Sequence, residues 1–466
     1  MKIFMKNIFN ITRSIIVGAV LVSCASDLDV KPAINVNSLD AIKTSKDVKG
    51  LLIGAYSNMG GANLYGGGVY VYSDLLASDI INGTDINFFG TFQELSQMAN
   101  KEIPIDNIFV SRVWLNAYAT INTANEVLNS LSLVESLSKD RVEGEAKFIR
   151  ASMYFELVKL YGRAWNDGDP TKNPGVPLVL VPTHSYGESI AHPSRSTVKA
   201  VYDQIISDLN DAERLLPISN SESYYFVTTG AAAAQLSRIY LVQGLYNLAL
   251  AAANRVISSN AYELVNNYAD EFPYEGTPVR ITNKSEDIFA VQVSDQQGIN
   301  NLNTYYATGD FGGRGDIEIS QDFIDTFYPG DTRTLFFEDD GTGFGLSYTH
   351  KFDNQFGNVK ILRLAEMYLT RAECNLRGNT SVGDTPLNDI NRIRSRAGIP
   401  TLTSVALQDV LDERRLELAF EGQWLVDAKR TQSTVSGMSW DAPQLIFPIP
   451  QRERIENPNL SQNVGY

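Results

Sequence analysis

Long amphipathic helical patterns constrain this chain more than any other feature. In the stretch EGEAKFIRASMYFELVKLYG, apolar side chains recur every three or four residues, and Gly162 follows at the position of a helix C-cap. Three helical stretches carry a small residue three positions before a tyrosine, on one helical face: Ala151 and Tyr154, Ser237 and Tyr240, and Ala365 and Tyr368. The small residue lets a neighbouring helix approach closely, and the tyrosine fills the groove beside it. This pattern predicts paired helices.

The stretch AQLSRIYLVQGLYNLALAAANRVI extends the pattern from one helix to the next. Ser237 and Tyr240 precede Gly244 at a turn, and Ala249 lies on the following helix. This order resembles a tetratricopeptide repeat, although Ala253 stands where the repeat has a large aromatic residue. We expect a mainly α fold with a tetratricopeptide-like helical-repeat scaffold. The number of repeats stays open.

Three irregular stretches, at about 60–90, 165–193 and 272–345, are rich in Gly, Asn, Asp and aromatic residues. The last of them contains the β-like run DIFAVQV and a turn candidate at DDGTG. Loops of this length inside a compact domain are usually functional. Because no low-complexity linker divides the chain, we expect one compact unit with long irregular loops and minor β-hairpins.

The charge balance and the cysteines narrow the class of protein. Lys and Arg number 39 and Asp and Glu 54, which gives a formal net charge of −15. An acidic surface of this kind disfavours nucleic acid, whose recognition requires clustered Lys and Arg. Besides Cys24, the chain has only Cys374, in an apolar helical stretch where a thiol packs as a small hydrophobe. We therefore expect stability to come from packing and not from disulfides.

The N-terminus has the layout of a secretory signal. Basic residues precede the apolar run Ile15 to Val22, which is too short to span a bilayer as a helix. The sequence LVSC that ends this region resembles the bacterial lipobox, in which the cysteine is lipidated and becomes the first residue of the mature protein. This resemblance implies a signal peptide at 1–23, a lipid anchor at Cys24 and attachment to the outer membrane, with the protein facing the cell surface.

Motifs for catalysis are not found. The chain has no GxSxG elbow, HExxH, P-loop or CxxC pair, and its three histidines are not at metal-ligand spacing. A pair of carboxylates for glycoside hydrolysis is defined by separation in space, so the sequence leaves that pair open. We expect no enzyme, no metal site and no cofactor.

Aromatic residues on loops are the candidates for binding a ligand. A site for sugar polymers needs flat apolar rings for stacking and polar groups that bind hydroxyls, all reachable from solvent. The aromatic candidates are Tyr65, Tyr70, Phe88, Phe89, Tyr305, Tyr306 and Phe311, and their polar neighbours are Asn87, Asn301, Asn303 and Arg314. The alternative is that these rings pack the loops onto the scaffold.

Two C-terminal stretches favour structural roles. In ERRLELAFEGQW, Arg414, Arg415, Glu417 and Glu421 are able to pair along a helix face, which predicts ion pairs of the scaffold. The stretch FPIP suits neither a central strand nor a helix interior, because proline lacks the backbone donor. We expect FPIP to strap the C-terminus across the body of the protein.

Five stretches of the chain, taken in order, resemble one family. They are EAKFIRASMYFELVKLYG, ILRLAEMYLTRAECNLRG, LNDINRIRSRAGIP, LDERRLELAFEGQWLVDAKR and FPIPQRERIENPNLSQNVGY. The family is SusD/RagB, the nutrient-binding outer-membrane lipoproteins of Bacteroidetes. The resemblance implies one SusD-like domain at 24–466, with an N-terminal half at about 24–260 and a C-terminal half at about 270–466.

This resemblance also implies a function. Family members are helical-repeat proteins whose long loops form the ligand site, and the candidates at 87–89 and 301–314 fall where the family places such loops. The expected partner is a SusC-like TonB-dependent outer-membrane transporter, to which the protein delivers glycans or oligosaccharides. The alternatives are a peptide-binding lipoprotein of the RagB type and an assembly scaffold without a small ligand. The sequence does not identify the glycan.

Overall fold

Helices form most of the computed structural model, which describes residues 42–78, 86–183, 192–219, 225–273, 276–294, 296, 298–341, 343 and 345–466. The described residues from Thr44 onward, except Thr183, form one compact unit. The predicted lipid anchor Cys24 and its signal segment lie outside the described residues. Among the helices of the described part, none is long and apolar enough to cross a membrane.

The helices and strands are numbered here in chain order. The α-helices are α1 Ser45–Met59, α2 Gly68–Ala77, α3 Gln93–Ala99, α4 Ile108–Asn129, α5 Ser136–Tyr161, α6 Val198–Leu215, α7 Thr229–Val242, α8 Tyr246–Ser258, α9 Tyr268–Glu271, α10 Asn301–Tyr306, α11 Gln321–Ile324, α12 Leu364–Gly378, α13 Pro386–Arg396, α14 Leu407–Glu417, α15 Trp424–Thr431 and α16 Gln451–Glu456. The strands are β1 Ile86–Phe88, β2 Asp287–Val291, β3 Ile317–Ser320, β4 Phe337–Asp339, β5 Leu346–Thr349 and β6 Val359–Arg363.

Successive helices pack as hairpins, as the helical patterns predict. Helix α5 packs against α4 and α6, α7 packs against α8, and α12 packs against both α8 and α13. At the α7–α8 turn Gly244 has φ +71°, a left-handed conformation that favours glycine. The Ser237 hydroxyl donates to the Ala249 carbonyl at 3.1 Å, so the small residue does bring the two helices close together. The predicted helical-repeat scaffold is confirmed.

Helix α5 is more deeply buried than its sequence pattern indicates. The pattern predicts one apolar stripe, whereas nearly every side chain from Gly144 to Tyr161 is buried, because α1, α4 and α6 surround the helix. Cys374 is buried where α12 meets α8, beside Ala249 and Leu250. Burial raises the pKa of its thiol to about 12, which is consistent with the predicted packing role.

The strands form two small antiparallel sheets. One has four strands in the order β1-β3-β5-β4, and the other pairs β2 with β6. The predicted turn at DDGTG lies in the β4–β5 hairpin, where the Gly341 N–H donates to the Asp339 carboxylate at 2.6 Å. The β-like run DIFAVQV forms β2, but its partner is distant in sequence, so this pair is not a hairpin.

The C-terminal strap is confirmed. The Phe447 N–H donates to the Leu160 carbonyl at the end of α5, at 2.8 Å, and the Gln451 N–H donates to the Ile105 carbonyl at 2.9 Å. The Asn463 amide donates to the Tyr161 carbonyl at 2.9 Å. These bonds hold the terminal segment across the first half of the chain.

The charged C-terminal stretch has a structural role, but its pairing differs from the prediction. Glu417 and Glu421 do not pair along their own helix, because α14 ends at Glu417 and the chain then turns through Phe420 at φ +64°. Their partners are buried arginines of other elements and, for Glu421, also the buried Lys351. This ion-pair cluster consists of Arg333, Arg363, Arg396, Glu286, Glu413, Glu417 and Glu421.

Candidate functional site

The four-stranded sheet brings together the two segments that the sequence selects as ligand loops. Strand β1 contains Asn87 and Phe88, and it pairs antiparallel with β3, which follows the 301–316 segment. In this register Asn87 lies opposite Glu318. The Phe89 N–H extends the pairing by donating to the Asp316 carbonyl at 2.8 Å. Two loops far apart in sequence thus share one surface.

The two faces of this sheet differ in chemistry. Ile86, Ile317 and Ile319 lie on one face and are buried against the core. The register places Asn87, Glu318, Tyr348 and Glu338 in a row on the opposite face, one from each strand. The outer row therefore offers an amide, two carboxylates and a phenol to a ligand.

Exposed rings border this row. Phe89 is 61% exposed and Phe92 is 37% exposed, which is unusual for phenylalanine. The Arg314 guanidinium lies 4.7 Å from the centre of the Phe92 ring and is fixed by Asp316 at 2.7 Å and by the Thr91 hydroxyl at 3.0 Å. These bonds hold the Phe92 ring in place from one side. Rings that are rigid and exposed lose little entropy when a ligand stacks on them.

Phe311 occupies the other end of the row, beside His350. The two ring centres are 5.4 Å apart. His350 lies between two carboxylates, with Nδ1 2.6 Å from Asp353 and Nε2 3.1 Å from Glu338. The hydrogen bond to Asp353 raises the pKa of His350, and the charges of both carboxylates add to this shift. The His350 imidazole therefore stays protonated to a higher pH than that of a free histidine.

Glu318 is the most constrained polar group of the row. The Tyr348 hydroxyl donates to its Oε1 at 3.0 Å, while its Oε2 has no hydrogen-bond partner among the described residues. Burial raises the pKa of Glu318. Burial and the adjacent carboxylate together raise the pKa of Tyr348 to about 12. Glu318 is as buried as the scaffold residue Asn301, so it braces the row through Tyr348, and Asn87, Tyr348 and Glu338 are the groups of the row that a ligand can reach.

We use the name aromatic surface for the residues Asn87, Phe89, Phe92, Phe311, Arg314, Glu318, Glu338, Tyr348 and His350. The sequence-predicted residues Asn87, Phe89, Phe311 and Arg314 are brought together here. Phe88 lies at the margin, half-buried on the inner side of β1. Tyr305 is buried behind Phe92, with its ring centre 6.4 Å from that of Phe92, and it supports the surface from below.

Five predicted ligand residues lie in the scaffold. The Tyr65, Tyr70 and Tyr306 rings are buried, and the Tyr306 hydroxyl donates to Asp74 at 3.0 Å. The amides of Asn301 and Asn303 donate to backbone carbonyls, Ala62 at 2.7 Å and Phe352 at 2.9 Å. A side chain without solvent access cannot stack on a ligand, so the structure does not support these five as ligand contacts.

These predicted ligand residues are buried because of the local backbone. The segment NLYGGGVYVYSD enters α2 at Gly68, the segment NLNTYY forms α10, and these two helices pack against each other. At Gly67, with φ +109°, a Cβ would lie 2.9 Å from the Leu302 backbone nitrogen. The glycines therefore allow a close approach of two backbones, and they do not mark an open loop. This close approach buries the neighbouring tyrosines.

Sequence reasoning missed Phe92, Glu318, Glu338, Tyr348 and His350. Phe92 follows Phe88 and Phe89 in the same aromatic stretch, so it could have been found there. In the run IEIS polar and apolar residues alternate, which indicates that Glu318 faces outward, whereas the same alternation in LSYT would place Tyr348 with Leu346 on the inner face. Their position beside Asn87 depends on strand register, which no local pattern contains. Within the described residues, no three His, Cys, Asp or Glu side chains are grouped as a metal site requires.

The fold and this surface define a helical-repeat protein that presents exposed rings and polar groups on one small sheet. A family model described as starch-binding associating with outer membrane matches residues 28–241, and a SusD family model matches residues 345–444. The chain belongs to the SusD/RagB family.

Individual relatives agree with this assignment. SusD-like protein P2 of Formosa agariphila is 26% identical, over 96% of this chain and 97% of that protein. The starch-binding protein SusD of Bacteroides thetaiotaomicron is 32% identical over 123 residues, which cover 23% of this chain and 22% of that protein. A crystal structure of a SusD superfamily protein from the same species superposes with a TM-score of 0.78 at 24% identity, covering 90% of this chain and 100% of the other. This likeness supports the fold.

Proposed function

We propose that this chain is a carbohydrate-binding lipoprotein of the outer membrane, held by a lipid on Cys24, which passes glycans to a SusC-like TonB-dependent transporter. The observation that carries the proposal is the aromatic surface, where exposed rings border a row of hydroxyl-binding groups. The family description of starch binding at the outer membrane supports it. The likeness to relatives that include a starch-binding protein supports it as well.

The chemistry of the surface matches a sugar chain. Pyranose rings have apolar faces that stack on aromatic rings, and the exposed Phe89 and Phe92 offer two such faces. Sugar hydroxyls donate to carboxylates and accept from amides and guanidinium groups. Glu338, which is exposed, and Asn87, which is half-buried, supply both kinds of contact.

The charges on the aromatic surface favour a neutral glycan. Glu338 is exposed with Glu318 beside it in the row, and the two cationic groups of the surface are already paired, Arg314 with Asp316 and His350 with Asp353 and Glu338. A uronate or sulfate group would lie close to these carboxylates and would be repelled. We therefore expect neutral oligosaccharides to bind in preference to acidic ones of the same length.

A peptide ligand is the second candidate, because β1 is an edge strand. In the sheet order β1-β3-β5-β4, β1 has a partner on one side only among the residues that the structure describes, and an extended peptide could add there as a further strand. The strand has only three residues, which leaves few backbone bonds for a peptide. The rings beside it favour a sugar.

Calorimetry on the full chain with Cys24→Ala tests the proposal. We expect saturable binding of one class of neutral oligosaccharide and about fivefold weaker binding after either Phe89→Ala or Phe92→Ala, since loss of one stacked ring costs about 1 kcal/mol. The matched control is Tyr328→Ala, which removes a ring that is 47% exposed but packs on Arg394. Binding of peptides alone would favour the second candidate, and equal effects of all three substitutions would contradict the proposed site.

The transporter is tested separately. We expect the lipidated chain, extracted from outer membranes in mild detergent, to copurify with a TonB-dependent channel. Phe89→Ala should leave this copurification unchanged, because the ring is assigned to the glycan. Failure to copurify would remove the transporter from the proposal and leave the binding function intact.

A further inference from the structure

A second pocket lies where α5, α6, α7 and α15 meet, and it differs from the aromatic surface in charge. Its apolar wall includes Phe155, Val158, Trp165 and Tyr202. Its charged side chains are all basic: Lys159, Arg163, Lys429 and Arg430. A pocket lined by four cations and no carboxylate is unexpected in a chain with a net charge of −15.

Three of the four cations have carboxylate partners outside the pocket wall. Lys159 pairs with Glu156 on its own helix. Arg163 pairs with Asp167 at 2.7 Å. Arg430 forms bonds to Glu373 at 2.6 Å and to Asp427 at 2.6 Å. The positive charges of these three side chains are therefore compensated within the protein.

Lys429 is the exception. It is 8% exposed, and its ammonium group donates to the Leu445 carbonyl at 2.7 Å. In the part of the chain that the structure describes, no carboxylate forms an ion pair with it. An ammonium group has three donors, and burying a charge is costly unless it is paired. The Lys429 charge thus lacks a counter-ion at the wall of a pocket.

The pocket is also built around this lysine. The Asn166 amide donates to the Lys429 backbone carbonyl at 3.1 Å, which fixes the loop that carries Trp165 against α15. Trp165 is half-buried and lies edge-to-face on Tyr202, with ring centres 5.3 Å apart. An aromatic wall beside an uncompensated cation is a combination that suits an acidic ring-shaped molecule.

We propose that this pocket is a second binding site, which takes a small organic carboxylate such as a uronic acid, with the carboxylate on Lys429 and the sugar ring against Trp165. The site does not depend on the proposed function of the aromatic surface. The two sites differ in the charge they accept, since the aromatic surface favours neutral glycans and this pocket carries cations. An oligosaccharide with neutral and acidic sugars could thus place its neutral sugars on the aromatic surface and its acidic sugars in this pocket.

The pH dependence follows from the groups that face Lys429. Burial, opposed by the charge of Asp167 and assisted by that of Lys159, lowers the pKa of Lys429 to about 8. Arg163 and Arg430 also line the pocket, each in an ion pair with a carboxylate. A bound carboxylate requires the protonated amine, so affinity should be high at pH 6.5 and should fall as the pH rises through about 8.

The test compares glucuronate with glucose, which differ in one carboxylate, by calorimetry on the full chain with Cys24→Ala. We expect saturable binding of glucuronate and none of glucose at the same concentration. Lys429→Met, which keeps most of the side-chain length, should weaken the binding of glucuronate at least tenfold. The matched control is Lys172→Met, because Lys172 is exposed and outside the pocket. Phe89→Ala should leave glucuronate binding unchanged.

Several outcomes would overturn the proposal. They are equal binding of glucose and glucuronate, unchanged affinity in Lys429→Met, and loss of glucuronate binding in Phe89→Ala, which would move the ligand to the aromatic surface. If Lys429→Met does not fold, the pH dependence of glucuronate binding to the unsubstituted pocket tests the proposal instead. At least a tenfold loss of glucuronate affinity between pH 6.5 and pH 9.5 supports the site, and a constant affinity contradicts it.

Discussion

The helical hairpins from α4 to α8 are held together mainly by apolar and small side chains, whereas the region around α14 is held by the ion-pair cluster. In the hairpins, side chains such as Ile149 and Leu236 are buried among other apolar groups. In the cluster, Arg363 reaches Glu286 at 2.7 Å, Glu417 at 3.0 Å and Glu421 at 2.7 Å, and all four side chains are buried.

The two regions should respond differently to substitutions that remove a side-chain group. Apolar contacts lose free energy in proportion to the volume removed, because the surroundings relax only in part. A buried ion pair behaves differently, since removal of one partner leaves the other as an uncompensated charge. The cluster should therefore be the more fragile region, although it holds fewer side chains than the hairpins.

The largest expected effect is that of Glu417→Gln. This change keeps the shape of the side chain but removes the charge that Arg333, Arg363 and Arg396 share. We expect the free energy of unfolding to fall by about 3–5 kcal/mol, measured by denaturant titration.

The matched control is Glu213→Gln. Glu213 accepts two bonds from Arg255, at 2.6 and 2.8 Å, but the arginine is solvent-exposed. We expect a loss of at most about 1 kcal/mol in the control. Equal losses in the two variants would show that burial does not distinguish these pairs, and the comparison would fail.

The hairpins are probed by Leu236→Ala in the buried face of α7. Truncation of a buried leucine should cost about 2–4 kcal/mol, through lost burial and the cavity that remains. Leu137→Ala at the exposed start of α5 is the control and should change stability by less than about 0.5 kcal/mol. A larger loss in Leu236→Ala than in Glu417→Gln would reverse the order of fragility.

The smallest effect is one of pH. Burial alone would raise the pKa of Glu417, but Arg396, Arg363 and Arg333 outweigh burial and lower that pKa to about 2. Because the folded pKa lies below the unfolded value of about 4.3, Glu417 contributes stability above that pH and loses it as the pH falls toward 2. The unfolding free energy should therefore decline less between pH 4.5 and pH 2.5 in Glu417→Gln than in the unsubstituted chain. Equal declines of the unfolding free energy in the two proteins would show that the acid sensitivity comes from groups other than Glu417.

The sequence by itself determined the elements that depend on local periodicity. The helical stripes, the α7–α8 turn at Gly244 and the C-terminal strap at FPIP follow from side-chain spacing and from the backbone chemistry of glycine and proline. Five motifs in order were enough to indicate the family. The charged residues of α14 were also recognised as scaffold, though their partners were not.

Only the tertiary structure decided which side chains meet. The partners of Glu417 come from three other elements, and the row of Asn87, Glu318, Tyr348 and Glu338 depends on strand register. Tyr306 and Phe89 look alike in the sequence, as aromatic residues in glycine-rich segments. One is buried and the other is exposed, because the packing of α10 on α2 covers Tyr306 while the chain beyond β1 leaves Phe89 in solvent. Such long-range contacts are set by the whole fold and not by neighbouring residues.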